Sequence, residues 1–199
     1  PYATFLMAMA GARVIKVESL MGETLRGRGE TSAAAYPFML LNQNKESLSI
    51  DLKTDQGKDI FRQLVTKADV VLENFSPDTM TKLGLSATSL LELNPALIYA
   101  AGSGYGRSGP HRDFQAMDLT VQAMSGVMST TGYDGTPPLK AGVPLCDFFG
   151  GVHLYGAIVT ALFERTTTGK GAIIDMAMQD TVMPNLASLL GAYYYFLSG

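Results

Sequence analysis

The sequence predicts an α/β fold with a mostly parallel sheet and helices on both faces. Short runs of branched residues alternate with longer segments of helical periodicity, and polar loops rich in glycine separate them. No internal repeat interrupts this alternation. Hydrophobic residues make up 47% of the 199 residues and charged residues 17%, so the chain is long and apolar enough to bury a core and is not a disordered segment.

The first elements are predicted from their boundary residues. A small apolar helix at 2–10 ends at Gly11, because glycine readily adopts the left-handed conformation that follows a helix. Residues 13–18 alternate polar and branched side chains and form the first strand. A loop rich in Gly, Arg, Ser and Thr follows at 21–35, and a second strand at 47–52.

The central elements repeat a helix and a strand in turn. The first helix has apolar residues on one face, and the strand after it runs into Ser76-Pro77, which is typical of a helix start. Two short helices then lead to a strand that is followed by several glycines. In order, these elements are a helix at 55–67, a strand at 69–75, helices at 77–83 and 86–93, and a strand at 96–101.

The last elements contain the longest helices. A helix is predicted at 117–129, a loop at 130–144 and one long helix at 147–166. A Thr-Gly-Lys-Gly turn then leads into a strand at 172–177 and a final helix at 179–197.

Composition excludes several partners. The net charge of −3 gives no basic footprint, so nucleic acid is not expected as a partner. The apolar runs at 152–163 and 186–197 are shorter than a membrane span, so no membrane is expected either. Cys146 is the only cysteine, which fits a reducing compartment, and we expect a cytoplasmic protein, with mitochondria and peroxisomes left open. The chain starts without Met and stops after an aromatic run, and we interpret it as a piece of a longer protein.

Asp147 is the main candidate for catalysis. It lies between Cys146 and two phenylalanines, and Gly150 and Gly151 follow within the predicted helix. Each glycine inside a helix costs about 1 kcal/mol relative to Ala, and close approach of a ligand would explain the two. A carboxylate in such surroundings can act as a nucleophile. The alternative is that Asp147 only caps the helix that begins there.

Other candidate sites are weaker. The run Gly104–Gly109 matches the dinucleotide-binding pattern G-x-G-x-x-G, but Pro110 follows and no helix is predicted to start there. Cys146 and His153 lie seven residues apart, roughly 10 Å along one helix, which is too far for a nucleophile and its base. We therefore predict a buried structural thiol and a core histidine. No zinc-spaced Cys and His set is present, so no metal is predicted.

The chain resembles the family III CoA-transferases, which include formyl-CoA transferase, carnitine CoA-transferases and the related α-methylacyl-CoA racemases. The matching stretches run through nearly the whole chain in one order. They are residues 11–18, 44–53, 68–77, 93–95, 104–106, 122–126 with 131–132, Asp147 with its glycines, and 168–171 with 174–175.

The resemblance implies the fold and the chemistry. It implies a Rossmann-like large domain, of which residues 1–199 form the CoA-binding part, and a homodimer of interlocked, ring-like subunits. The small domain, the glycine-rich lid and a glutamine-bearing segment would lie beyond this chain. Asp147 would be the nucleophile that moves CoA from an acyl-CoA donor to a small carboxylic acid through an aspartyl-CoA thioester. Coenzyme A would be a substrate, and no prosthetic group is implied.

The resemblance also implies which residues contact the coenzyme. An arginine in relatives is replaced by Ser19 here, and Lys82 stands where an arginine is common. The implied contacts are Ser19, Ile50, Asp51, Leu52, Lys53, Asn74, Phe75, Ser76, Lys82, Gln115, Ala116, Met117 and Asp118.

Two alternatives stay open. The racemase branch uses the same aspartate with a histidine that directly precedes the acidic residue at position 118. Met117 stands there and cannot carry a proton, which favours the transferase. The second alternative is a CoA-binding fragment that is inactive by itself.

Overall fold

A computed structural model describes residues 1–26 and 36–198 and confirms the α/β fold. The strands are β1 Val14–Glu18, β2 Lys45–Ser49, β3 Val70–Glu73, β4 Ile98–Ser103 and β5 Ala172–Ala177. The helices are α1 Tyr2–Met9, α2 Tyr36–Leu41, α3 Asp55–Val65, α4 Thr79–Lys82, α5 Ala87–Leu93, α6 Asp118–Met124, α7 Leu145–Thr168, α8 Met178–Val182 and α9 Ala187–Ser198. Short 3₁₀ helices cover Thr24–Arg26, Val127–Thr130 and Met183–Leu186.

The described strands form two sheets. β1 and β2 pair in parallel, while β3, β4 and β5 form a second sheet in that order. The backbone N–H of Ile98 donates to the Asp69 carbonyl at 2.9 Å, and that of Ala172 donates to the Leu97 carbonyl at 3.1 Å. Because these bonds join the beginnings of the three strands, β3, β4 and β5 run in the same direction. Their carboxyl ends, where ligands bind in open parallel sheets, therefore share one edge.

The described residues divide into two compact units. The first unit comprises Pro1–Val71, Asp78–Tyr99 and Tyr155–Ile174, and the second comprises Leu72–Pro77, Ala100–Leu154 and Asp175 onward. The proposal that residues 1–199 form one CoA-binding part of a large domain stays a prediction.

A side-chain amide stabilises the core of the first unit. The Nδ2 group of Asn94 donates to the carbonyls of Val65 and Ala68, each at 2.9 Å. Val65 is the last residue of α3, and Ala68 lies in the turn between α3 and β3. Asn94 follows α5 directly, so this one residue fixes the end of one helix beside the end of another.

The core of the second unit joins α6, α7 and α8. Val121 of α6, Cys146 of α7 and Val182 of α8 are all fully buried in one cluster, together with Val127. The first turn of α7 is therefore fixed against α6 by apolar packing, and this contact places the two acidic residues described below.

Two predicted boundaries in the first half are wrong. The second strand is Lys45–Ser49 rather than 47–52, because its parallel partner β1 ends at Glu18 opposite Ser49. The fourth helix begins at Thr79 rather than at Pro77, and its N-cap is Asp78. Asp78 has a left-handed backbone with φ of 65°, so the helix cannot extend back through it.

Two further differences concern the helices. The predicted final helix at 179–197 is divided into α8, a 3₁₀ turn and α9, and Pro184 lies in that turn, where it has no N–H for a helical hydrogen bond. No element was predicted for 36–46, where α2 forms. Of the predicted loop at 21–35, residues 27–35 lie outside the described residues.

Helix α7 is longer than its sequence pattern indicated. With 24 residues it is, by length and composition, long and apolar enough to cross a membrane, which the apolar runs alone did not indicate. The core helix of a soluble protein meets the same criterion. Leu154 and Ile158 of α7 are buried within the described residues, so α7 contributes to a protein core. The expectation of no membrane partner stays a prediction.

Candidate active site

Asp118, the first residue of α6, caps the amino terminus of α7. Its Oδ1 accepts a hydrogen bond from the backbone N–H of Cys146 at 2.7 Å and from that of Asp147 at 3.2 Å. The first N–H groups of a helix have no partner within the helix, and a carboxylate there also interacts favourably with the helix dipole. The capping group therefore comes from a distant segment of the chain.

A buried glutamine holds Asp118 in this position. Gln122 lies one turn further along α6 and donates from Nε2 to Asp118 Oδ2 at 2.6 Å. Its Oε1 accepts from the backbone N–H of Ala141 at 2.8 Å. Gln122 is 1% exposed, so both of its polar atoms need partners, and it connects α6 to the loop that precedes α7.

The cap leaves the side chain of Asp147 available for chemistry. Asp147 is the third residue of α7, so the alternative that it caps this helix is wrong. Among residues 1–26 and 36–198, no group donates a hydrogen bond to its carboxylate, and the residue is exposed to solvent. Neighbouring protein atoms still remove part of its hydration, and this desolvation raises the pKa of Asp147, with a further increase from the negative charge of Asp118.

Gly150 has a packing reason in the structure. It is buried in α7, and a Cβ added there would lie 3.1 Å from Met178 Cγ and 3.4 Å from Met176 Cε. Gly102 of β4 faces the same Met176 side chain, with its added Cβ 3.2 Å from Cε. The glycine at position 150 therefore lets α7 pack against β5 and α8, and the expectation that Gly150 and Gly151 allow close approach of a ligand stays a prediction.

Cys146 and His153 are not a catalytic pair. Cys146 is fully buried, and burial, followed by the charges of Asp118 and Asp147, raises the pKa of its thiol to about 12. The thiol is therefore protonated and structural, as predicted. His153 is exposed, so the prediction of a core histidine is wrong, and its Nδ1 lies 2.9 Å from the Phe149 carbonyl oxygen.

The glycine run after β4 supports the Gln115–Asp118 segment. A Cβ added to Gly104 would lie 2.0 Å from Ala116 Cβ, so only glycine fits there. No helix begins between Gly104 and Met117, which confirms that the context of a dinucleotide fingerprint is missing. Ala116 is half-buried, whereas Met117 is 69% exposed and precedes α6 as its N-cap.

An open depression of about 540 Å³ lies beside this segment. Gln115 is the only predicted site residue that lines it. Tyr105 and Phe114 form part of the wall, with their rings edge to face at 6.2 Å. The other lining residues are Asp113, Thr120, Ala123 and Met124.

The turn Asn74–Ser76 belongs to the same unit as Asp147. All three of its residues are exposed, and the Phe75 side chain is 47% exposed. The carboxylate of the preceding Glu73 accepts a hydrogen bond from the Phe75 backbone N–H at 2.8 Å. The three residues predicted to contact the coenzyme therefore lie on an exposed turn, and the Glu73 side chain fixes the backbone of that turn by a hydrogen bond.

The turn Ile50–Lys53 lies in the first unit, before α3. Asp51 Oδ1 accepts from the Lys53 backbone N–H at 2.9 Å, and the Asp51 carbonyl accepts from Thr54 Oγ1 at 2.8 Å. A Cβ added to Gly57 would lie 2.0 Å from the Asp51 carbonyl oxygen. The turn is therefore packed tightly on α3, with Ile50 buried, Leu52 half-buried and Lys53 exposed.

Ser19 and Lys82 are the remaining predicted contacts, and both are exposed in the first unit. The Ser19 hydroxyl donates to the Gly22 carbonyl at 3.1 Å, just after β1. Lys82 is the last residue of α4. The structure therefore brings Asp118 and Asp147 into contact. The predicted contacts in the first unit lie at three separate places, namely Ser19 after β1, residues 50–53 before α3, and Lys82 at the end of α4.

Sequence reasoning missed Gln122 and Arg107. The signal for Gln122 was its position four residues after Asp118, on the same helical face. Arg107 pairs with Glu73, 34 residues away, and no local pattern indicates such a contact. In the part of the chain that the structure describes, no three His, Cys, Asp or Glu residues are grouped to hold a metal ion. That the protein works without a metal ion stays a prediction.

Comparison with known proteins shows which family the chain resembles along its length. The model of CoA-transferase family III matches residues 1–198. The chain is 38% identical to a formyl-CoA:oxalate CoA-transferase of Streptomyces avermitilis, covering 92% of this chain and 45% of the relative. It is 42% identical to a succinate–glutarate CoA-transferase of Agrobacterium fabrum, covering 94% and 49%.

A solved structure gives the same result for the fold. The crystal structure of a CAIB/BAIF family protein from Brucella suis matches with a TM-score of 0.92 and 37% identity, over 98% of this chain and 53% of that one. The chain spans about half the length of the curated relatives it matches. From the family match along its length and these relatives, the chain belongs to CoA-transferase family III.

Proposed function

We propose that this chain carries the catalytic aspartate of an enzyme that moves CoA from an acyl-CoA donor to a small carboxylic acid. The observation behind this proposal is that two neighbouring aspartates have different roles in the structure. Asp118 takes the structural role at the helix terminus, and Asp147 keeps an exposed carboxylate to which no described group donates a hydrogen bond. Neighbouring protein atoms remove part of its hydration, and a carboxylate that is partly desolvated and not held by donors is a better nucleophile than a fully hydrated one.

The first half of the reaction would form the aspartyl-CoA thioester. A carboxylate oxygen of Asp147 attacks the carbonyl carbon of the acyl-CoA, the C–S bond breaks, and CoA leaves as the thiolate. The thiolate then attacks the carbonyl carbon of Asp147 in the resulting mixed anhydride. The donor acid leaves as a carboxylate and carries away the bridging oxygen, so the thioester now joins CoA to Asp147.

The second half would reverse these steps with the acceptor. The acceptor carboxylate attacks the aspartyl carbonyl and releases the CoA thiolate, which gives a second mixed anhydride. The thiolate attacks the acceptor carbonyl, the new acyl-CoA forms, and the Asp147 carboxylate is restored. One oxygen of the restored carboxylate comes from the acceptor acid. No oxidant, reductant or external proton is consumed.

The helix geometry suits this chemistry. Asp147 lies in the first turn of α7, where the helix dipole favours negative charge, and this stabilises the carboxylate when it is a leaving group. The exposed residues Asn74–Ser76, Lys53 and Lys82 would contact the coenzyme, with the lysines close to its phosphates. Ser19 cannot provide the positive charge that an arginine provides in relatives.

The sharpest test follows the oxygen atom. The polypeptide is incubated with acyl-CoA and an acceptor acid labelled with ¹⁸O in its carboxylate, and the peptide containing Asp147 is then analysed by mass spectrometry. We expect ¹⁸O to appear in Asp147 only when donor and acceptor are both present. Hydroxylamine added with acyl-CoA should convert Asp147 to the hydroxamate. Turnover without either modification would exclude the covalent route.

Oligomer and location are further parts of the proposal. The homodimer of interlocked subunits and the cytoplasmic location stay predictions. Light scattering of the full-length polypeptide would test the first, and localisation of a tagged copy in cells would test the second.

A further inference from the structure

An ion pair between a buried glutamate and a partly exposed arginine lies beside the Asn74–Phe75 turn of the second unit. Glu73 is the last residue of β3, and its side chain is only 4% exposed. Its Oε1 accepts from Arg107 Nη2, and its Oε2 accepts from the backbone N–H of Phe75 at 2.8 Å. One carboxylate therefore holds both the turn and the loop that follows β4.

The loop that carries Arg107 is fixed to its own strand and to β5. The backbone N–H of Arg107 donates to Asp175 Oδ2 at 3.0 Å, and the N–H of Gly106 donates to Ser103 Oγ at 2.9 Å. Gly106 has φ of 82°, a conformation that other residues rarely adopt. The base of Arg107 is thus held at the carboxyl ends of β4 and β5, and its guanidinium reaches the end of β3.

Charge explains why Glu73 depends on Arg107. A carboxylate that is nearly inaccessible to water is destabilised unless hydrogen bonds and an opposite charge compensate the lost hydration. Loss of the guanidinium removes this opposite charge, so burial of the Glu73 carboxylate becomes less favourable and its position beside the Phe75 N–H is less well fixed. The hydrogen bond from the Phe75 N–H would then weaken, and the backbone of the turn would be less well fixed.

We propose that Arg107 is a positioning residue for coenzyme binding, acting through Glu73 on the Asn74–Phe75 turn. This inference rests on the proposed function, in which that turn contacts the coenzyme. Asp147 is held by a different network, through Asp118 and Gln122. Loss of Arg107 should therefore weaken coenzyme binding more than it slows the reaction of bound substrate.

The test compares three variants in the full-length polypeptide that carries this chain. Arg107→Ala should raise the dissociation constant of CoA, measured by calorimetry, by about 10-fold, and should change kcat at saturating acyl-CoA by less than about 3-fold. Arg107→Lys keeps the charge without the planar fork, so its effect should be smaller. Glu73→Gln keeps an oxygen that can accept from the Phe75 N–H, so its dissociation constant for CoA should lie between those of wild type and Arg107→Ala. If Arg107→Ala does not fold, the other two variants still decide the question.

Coupling and a matched control complete the experiment. In the Glu73→Gln background, Arg107→Ala should weaken binding by a smaller factor than it does alone, because the two residues act as one unit. Arg13→Ala removes a surface arginine that pairs with Glu46 at 2.8 Å, and CoA binding should not change.

Two kinds of failure are distinguishable. If the wild-type polypeptide binds CoA and Arg107→Ala binds it equally well, the inference is wrong, even if the variant melts at a lower temperature. A fall in kcat with unchanged CoA affinity also overturns it. If the wild-type polypeptide neither binds CoA nor transfers it, the proposed function itself fails.

Discussion

Asp118 caps the helix whose first turn carries Asp147, from a position 29 residues earlier in the chain. Its Oδ1 accepts from the Asp147 backbone N–H at 3.2 Å, so two carboxylates lie close together with different tasks. One satisfies backbone donors, and the other is exposed to solvent. The same proximity raises the pKa of Asp147 beyond the effect of its desolvation. Asp118 therefore affects both the start of α7, through its cap, and the pKa of Asp147, through its charge.

Replacement of Asp147 should separate activity from stability. Asp147→Asn removes the nucleophile proposed above, and we expect kcat for CoA transfer to fall by more than about 10³-fold. The free energy of unfolding at pH 7 should rise by about 0.5 kcal/mol, a value kept small because the side chain is accessible to solvent. The raised pKa means that the folded protein disfavours the charged form, so this gain disappears once the pH falls below the normal carboxyl range.

The control for Asp147 is Asp134→Asn. Asp134 is an exposed residue of the loop before α7, and its replacement should leave both kcat and unfolding unchanged. Transfer at the wild-type rate by Asp147→Asn would refute the assigned role.

Asp118→Asn should move the pH dependence of the reaction. Asparagine still offers an oxygen to the Cys146 and Asp147 N–H groups, so the cap persists. Its neutral side chain removes the negative charge that raises the pKa of Asp147, while desolvation, the larger cause, remains. Because the nucleophile must be ionised, the acidic limb of the kcat/KM profile should shift to lower pH.

The profile is measured for wild type, Asp118→Asn and the control Asp134→Asn. Asp134 is an exposed residue of the loop before α7, and its variant should follow the wild-type profile. A shift of the Asp118→Asn limb to higher pH would contradict the charge argument. The variant should also lose about 1 kcal/mol of stability, because Gln122 Nε2 loses Asp118 Oδ2 as an acceptor and keeps only the longer contact to the Val143 carbonyl.

Local patterns predicted the alternating fold because boundary residues and periodicity act over a few positions. The helix predicted at 55–67 forms at Asp55–Val65, and the strand predicted at 172–177 forms with those bounds. The long helix was predicted to begin at Asp147, with capping as one possible role of that residue, but the helix begins at Leu145 and the capping carboxylate is that of Asp118. No local rule supplies a capping group from another helix, so the role of Asp147 could not be separated from helix capping by sequence pattern.

Long-range contacts explain the other differences. From the sequence, Gly150 was explained by the close approach of a ligand, whereas in the structure Met176 and Met178 occupy the space beside it. Glu73 and Arg107 lie 34 positions apart and meet only because β3 and β4 are neighbours in the sheet. Such pairs depend on tertiary structure, which periodicity and propensity do not encode.

The racemase alternative predicts proton exchange that we do not expect. Met117 occupies the position before Asp118, and its thioether cannot exchange a proton with the α-carbon of a substrate. In D₂O, a 2-methylacyl-CoA incubated with the polypeptide should therefore keep its α-hydrogen, as judged by mass spectrometry. An acyl-CoA and acceptor acid tested in parallel should show CoA transfer. Rapid deuterium incorporation at the α-carbon would favour the racemase.

Two glycines of α7 should respond differently to alanine. Gly156 has no described atom within 4 Å of an added Cβ, so Gly156→Ala should stabilise the helix by up to about 1 kcal/mol. At Gly150 the same methyl group meets Met178 Cγ at 3.1 Å, and the two methionines must shift. Gly150→Ala should therefore gain nothing or lose about 1 kcal/mol. Urea unfolding of the two variants tests this, and equal stabilisation would show that Gly150 is not a packing position.

Glu18 should give the first unit a pH-dependent stability. Its side chain is 3% exposed, and its Oε1 accepts from Arg26 Nη2 at 2.7 Å and from Ser47 Oγ at 3.0 Å. The hydrogen bonds from Arg26 are the main cause that lowers the pKa of Glu18 to about 2. A lowered pKa means that the folded protein favours the charged carboxylate. The resulting stability is complete above the unfolded pKa and is lost as the pH falls through about 2.

Glu18→Gln should therefore reduce the free energy of unfolding by about 2 kcal/mol at neutral pH, a value discounted because Arg26 is partly exposed. The difference between wild type and variant should shrink steadily as the pH is lowered from the normal glutamate pKa toward that of the folded protein. Glu46→Gln is the matched control, because Glu46 also pairs with an arginine but at the surface, and it should show little change. Unfolding in urea across a pH series measures both. A difference for Glu18→Gln that stays constant down to acidic pH would mean that packing, rather than the charge of Glu18, stabilises this part of the fold.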